Sequence, residues 1–179
     1  MLHKKMLGAL NEQINKEMYS AYLYMAMSSH SANMGLKGFA NWFMVQYHEE
    51  MYHAMKLYEY VQRQGEEVVL DTLQAPPTDF ESPLDMFKQT LTHERYITSS
   101  INELMELAIS KKDHATQIFL EWYVTVQFDE EENDNDIIAQ LKLIGDNPHA
   151  LLMLDRELAQ RAATVPTDFS KGVESAASA

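Results

Sequence analysis

Apolar residues return along this chain at steps of three and four, over four stretches of about 30 residues each. The first stripe runs Leu7, Leu10, Ile14, Glu17, Ala21, Tyr24, and the second Phe39, Phe43, Gln46, Glu50, His53, Leu57, Tyr60. A third runs Leu84, Phe87, Leu91, Glu94, Thr98, Ile101, Met105, Ala108. The fourth runs Leu120, Tyr123, Gln127, Glu130, Asp134, Ile137, Leu141, Ile144. This is the seam spacing of helices packed in a bundle. It predicts helices over about 5–34, 37–64, 83–111 and 114–144, with a short fifth helix over about 148–162. Gly35, Gly65 and Gly145 follow periodic segments, as helix C-terminal glycines do. Ser82-Pro83 and Asn147-Pro148 have the form of an N-cap followed by proline in the first turn.

The links between helices set the topology. Short links after the first and third helices make antiparallel hairpins. The stretch GEEVVLDTLQAPPTDFES, residues 65–82, is much longer and reaches up to ~60 Å when extended. It can return the chain along a helix of roughly 40 Å and start the third helix parallel to the second. The predicted fold class is therefore all-α, a four-helix bundle with one long crossover and a short fifth helix. A disordered loop between antiparallel neighbours is the rival reading of this stretch. Val68, Val69, Leu70, Leu73 and Phe80 favour the crossover, since they offer it something to pack. Residues 1–162 form the expected domain, and 163–179 are expected to be a mobile tail.

Each stripe is interrupted near its middle by acid or amide. Glu17 lies 18 residues before Gly35 and Glu50 15 after it, while Glu94 lies 11 after Pro83 and Glu130 15 before Gly145. With the topology above, all four reach one level of the bundle. Four buried carboxylates cannot all stay ionised uncompensated, so they take up protons or hold cations. Two divalent ions would neutralise them. His53 adds a neutral nitrogen one turn from Glu50, and Gln127 can hydrogen-bond beside the site. Carboxylates with one imidazole suit iron or manganese.

Composition narrows the alternatives. The chain has 179 residues, enough for one domain with a real core, and 46% are hydrophobic. A net charge of −13 disfavours nucleic-acid backbones and attracts cations. No cysteine is present, which removes disulfides and thiolate sites. Neither a secretory signal nor a run of ~18 uncharged apolar residues is found, so the expected home is the cytoplasm, without a membrane span.

On these residues the chain resembles the bacterial non-haem ferritins. The resemblance covers residues 1–162 and includes LNEQINKEMYSAYLY, HEEMYHAMKLYEY, THERYIT, INELMELA and FLEWYVTVQFDEEE. It implies a 24-subunit cage in which Fe(II) is oxidised by O₂ or peroxide and stored as ferric oxide. By position, Glu17, Glu50 and His53 resemble the ligands of a first iron. Glu50 would bridge to a second iron bound by Glu94 and Glu130. Gln127 matches a nearby hydrogen-bonding residue of the metal set, and Tyr24 the tyrosine beside it. Glu49 and Asp129 match ligands of a third iron, weakened here because Val126 stands where the family has a carboxylate. Helix four carries Gln127-x-x-Glu130 rather than Glu-x-x-His, which points away from the haem-binding bacterioferritins. Met51, which matches their haem ligand, reads as packing. Gln117 and Leu120 stand where vertebrate ferritins line an iron channel with acids. The run DEEENDND, 129–136, has two readings: a solvated face or a surface for mineral nucleation. Trp122 and Tyr123 read as packing, with electron donation to the site as the other reading. Rival functions are a non-storing di-iron oxidase or peroxidase, and an inert helical scaffold with protonated acids.

Overall fold

The computed structural model of the chain describes residues 2–170 and 172–173. Five helices follow one another: α1 (Lys4–Asn33), α2 (Lys37–Arg63), α3 (Pro83–Ser110), α4 (His114–Ile144) and α5 (Pro148–Leu158). The two proline starts are capped locally. Ser82 Oγ accepts from the Asp85 N–H, and the Asn147 side chain accepts from the His149 and Ala150 N–H groups. After α1 and α2 the backbone turns through Gly35 (φ 81°) and Gly65 (φ 78°), a conformation that L side chains rarely adopt.

α1 packs on α2 and α3 on α4 as hairpins, and cross-bundle hydrogen bonds give the remaining directions. Gln13 and Lys16 of α1 reach Ser100 of α3, whereas Ser20 reaches His93. On the other side, Gln46 meets Glu130 and Tyr60 meets Thr116. Both pairs run antiparallel, so α2 and α3 are parallel, as the long crossover demands. The crossover lies along α1. Thr72 accepts from the Asn15 side chain, and Phe80 packs edge-on against His30. Phe80 is buried and Val68 packs partly against the core, but Val69, Leu70 and Leu73 face outward. All three were expected to pack, but within one chain Val69 and Leu70 stay more than half exposed and Leu73 38%.

Two apolar clusters fill the bundle. One centres on Tyr24, Phe39, Trp42, Phe43, Phe87 and Ile137; the other on Met6, Ile14, Leu57, Ile101, Leu120 and Tyr123. Leu120 is fully buried, so the position matched to an iron channel does not face solvent here. A layer of polar side chains separates the two clusters.

α5 folds back on the start of α2, which has no side-chain cap of its own. Asp155 supplies one from across the fold: its Oδ1 accepts from the N–H groups of Gly38 (2.7 Å) and Phe39 (3.1 Å). The approach needs glycine, since a Cβ on residue 38 would run into the Asp155 carbonyl. Asn41 then binds the carbonyls of Leu158 and Arg161. The fifth helix therefore ends at Leu158 rather than near 162, because α2 takes up carbonyls that a longer helix would have used. Beyond it, Val173 is buried and its N–H donates to Glu59 of α2. The rest of the expected tail, residues 171 and 174–179, lies outside the described residues.

Candidate metal centre

Each long helix contributes one glutamate to the polar layer. Glu17, Glu50 and Glu94 are about 1% exposed and Glu130 9%. They reach it because each occupies a seam position of its helix, and apolar clusters above and below deny them water. His53 joins them, with its Nδ1 3.5 Å from Glu50 and 4.0 Å from Glu17. One ligand atom each from Glu17, Glu50 and His53 lies within 4.8 Å of the others, a group that could hold a metal ion.

Neighbours fix the ligand atoms. Gln13 donates to Glu17 Oε1 (2.7 Å) and the Tyr24 hydroxyl to Glu94 Oε1. Gln127 donates to Glu94 Oε2 (3.1 Å) and to its carbonyl, while Gln46 donates to Glu130 Oε2 (2.8 Å) and Glu50 Oε1 (3.3 Å). The Tyr123 hydroxyl binds the His53 carbonyl, and the Trp122 ring stands edge-on to the imidazole. Two carboxylate oxygens in the centre, Oε2 of Glu17 and Oε2 of Glu50, accept no hydrogen bond among the described residues and face only the His53 Nδ1, at 4.0 and 3.5 Å. Buried unsatisfied acceptors are costly, and a cation is the group that satisfies several at once.

The titration of the acids follows. Burial first, and the Glu50 charge second, push Glu17 up to about 8. Burial and Glu94 push Glu130 up to about 7. Glu50 and Glu94 are also raised, mainly by burial. Tyr24 is held well above its ordinary value by burial and by Glu94, so it stays a hydrogen-bond donor.

The matched third-site residues are not gathered in the same way. Glu49 is half-buried and forms an ion pair with Arg161 at 2.6 Å, while Asp129 is exposed. The acidic run 129–136 divides. Glu130 and Asp134 point inward, Glu131 accepts from Thr98 and Arg95, and Asp129, Glu132 and Asp136 face solvent. Three neighbours of the centre went unassigned from sequence. Gln46 and Asp134 stood on the seam stripes and could have been counted; Gln13 lay off them. Asp134 is buried with Oδ2 unpartnered, and burial together with Glu94 and Glu130 pushes it up to about 9.

Known proteins resemble this chain in sequence and fold. The family model "Ferritin-like domain" matches residues 7–144. A bacterial non-haem ferritin of Staphylococcus epidermidis is 41% identical over 162 residues, covering 90% of this chain and 98% of its own. One from Campylobacter jejuni is 41% identical over 156 residues, 87% of this chain and 93% of its own. Among solved structures, an open-pore ferritin from the hyperthermophilic archaeon Archaeoglobus fulgidus superposes with a TM-score of 0.90 at 47% identity. It covers 90% of this chain and 100% of its own.

Proposed function

The chain belongs to the ferritin family, and we propose that it stores iron, oxidising Fe(II) at the buried four-glutamate centre. The observation that supports this is one buried glutamate on each long helix, with Glu17, Glu50 and His53 close enough to share a metal ion and oxygens of Glu17 and Glu50 that accept no hydrogen bond among the described residues. Glu17, Glu50 and His53 hold a first Fe(II), and Glu50 bridges to a second held by Glu94 and Glu130. Four carboxylates balance the charge of the pair. Gln127 and Tyr24 hold Glu94 in place, and Gln13 holds Glu17.

Proximity is the catalytic device. Two Fe(II) side by side supply the two electrons that reduce one O₂, with two protons, to hydrogen peroxide. With peroxide as the oxidant, the same two electrons and two protons yield two waters. Glu17 and Glu130, protonated to a large extent near neutral pH, release protons as iron enters. Two Fe(III) carry two more positive charges than four carboxylates balance, which favours their departure toward a ferric oxide store. That store is a 24-subunit cage in the cytoplasm. Among the described residues no helix is long and apolar enough to cross a membrane.

Stopped-flow oxidation of Fe(II) by the apo-protein tests this reading. Wild type shows a fast phase that saturates with iron. Glu50→Ala, which removes the bridge, slows it by about 100-fold or more while helix content and oligomer size persist. Equal rates in the two proteins would sink the assignment.

A further inference from the structure

Arg161 stands just past the end of α5, held there because Asn41 binds its carbonyl. Its guanidinium lies over the Trp42 ring, 4.4 Å from the centroid, and donates to the Trp42 carbonyl at 3.3 Å. Nη2 donates to two acceptors: Glu49 Oε2 at 2.6 Å and Gln46 Oε1 at 2.9 Å. Gln46 is fully buried, and its other amide atom faces the metal centre, donating to Glu130 and Glu50.

The chemistry on the two sides of Gln46 permits one arrangement. A guanidinium only donates, and an ionised carboxylate only accepts. A side-chain amide between them must give its oxygen to Arg161 and its N–H groups to the glutamates. With Arg161 gone, the buried amide oxygen of Gln46 loses its hydrogen-bond donor and the amide is held from the glutamate side alone, so it is less firmly placed. We propose that Arg161 is a positioning residue of the metal centre: by fixing the amide of Gln46, it holds Glu130 and the bridging Glu50 in their cation-binding geometry. This rests on the metal-binding function proposed above. It assigns a role in the centre to the segment after α5, which supplies no ligand itself.

The effect falls mainly on one half of the centre. Gln46 touches Glu130 and Glu50, whereas Glu17 is held by Gln13. Glu130 serves the second cation alone and takes the shorter bond from Gln46, while the bridging Glu50 serves both, so the second cation depends on Arg161 more than the first. A pure charge effect runs the other way, because removing a positive group beside carboxylates strengthens cation binding.

Anaerobic titration with Co(II) separates these cases, read by calorimetry and by cobalt absorption, since one site has an imidazole and the other oxygens only. In wild type two tight steps are expected. Arg161→Met keeps an apolar stem over Trp42; it should weaken the second step by about 10-fold or more and the first by much less. Arg161→Lys keeps the charge and a donor but not the planar stacked fork, and should recover part of the loss. Gln46→Leu should reproduce the loss, and combining it with Arg161→Met should add nothing further. Glu49→Gln should keep both steps, which places the action on Gln46 rather than on the ion pair. A second step that is unchanged or tighter in Arg161→Met overturns the proposal, as does an equal fall in both steps. Absence of tight Co(II) binding in wild type would instead overturn the proposed function, and this inference with it.

Discussion

At the scale of single residues, His53 is the imidazole that stands within ligand distance of Glu17 and Glu50. His53→Leu should weaken the first metal about 10-fold or more and spare the second. Its thermal stability should hold or rise, because an apolar group replaces a polar one between two apolar clusters. Calorimetric titration alongside a melting curve checks both, and equal loss of the two metals contradicts the division. The acids make a separate expectation. Glu17 is raised to about 8 and Glu130 to about 7 from an ordinary 4.5. In that interval the folded apo-protein binds more protons than the unfolded chain. The stabilisation is complete below pH ~4.5 and is lost as pH rises toward 8. Melting temperatures of metal-free protein should fall from pH 5 to pH 8, and saturating Co(II) should reduce the fall. A metal-free profile that is flat or rising over that range would show that these carboxyls are not held protonated. The buried acids were legible in the sequence because helical periodicity assigns each to a seam. The orientation of Gln46 was not, since it is set by Arg161, which lies 115 positions away in the chain.

At the scale of elements, the four long helices follow from periodicity and from local caps at Ser82 and Asn147, which need only neighbouring residues. α5 differs, because its end is decided by tertiary contacts to Asn41. No local signal marks that stop, which is why the helix expected over about 148–162 overran it by a turn. The same contacts make a testable unit. Asp155 caps α2 from outside, so Asp155→Ala should cost about 1 kcal/mol of stability in denaturant unfolding, the ordinary value of an N-cap. Amide exchange at Gly38 and Phe39 should accelerate with it. Unchanged exchange there would mean that the remote cap does not hold the helix start.

At the scale of the whole molecule, one chain leaves a large apolar surface in water. Leu143, Met153, Phe128 and Ile118 are exposed on α4 and α5, and Val69 and Leu70 on the crossover. Patches of this kind are covered by other subunits in an assembly. Val69→Asp with Leu70→Asp should retain helix content yet elute as a smaller species than wild type, and a wild-type elution volume would free the crossover of any part in assembly. Assembly and oxidation meet in stoichiometry. Glu49 is engaged by Arg161, Asp129 faces solvent and Val126 offers no ligand, so a third iron lacks a prepared site. The most direct measurement is therefore an anaerobic Fe(II) titration of the apo-protein followed by a pulse of oxygen, with iron oxidised in the fast phase counted per subunit. Saturation is expected at about two irons, one for each half of the four-carboxylate centre. Saturation near three would show a working third site, and the absence of any saturating fast phase would contradict the buried glutamates as an iron-oxidising centre.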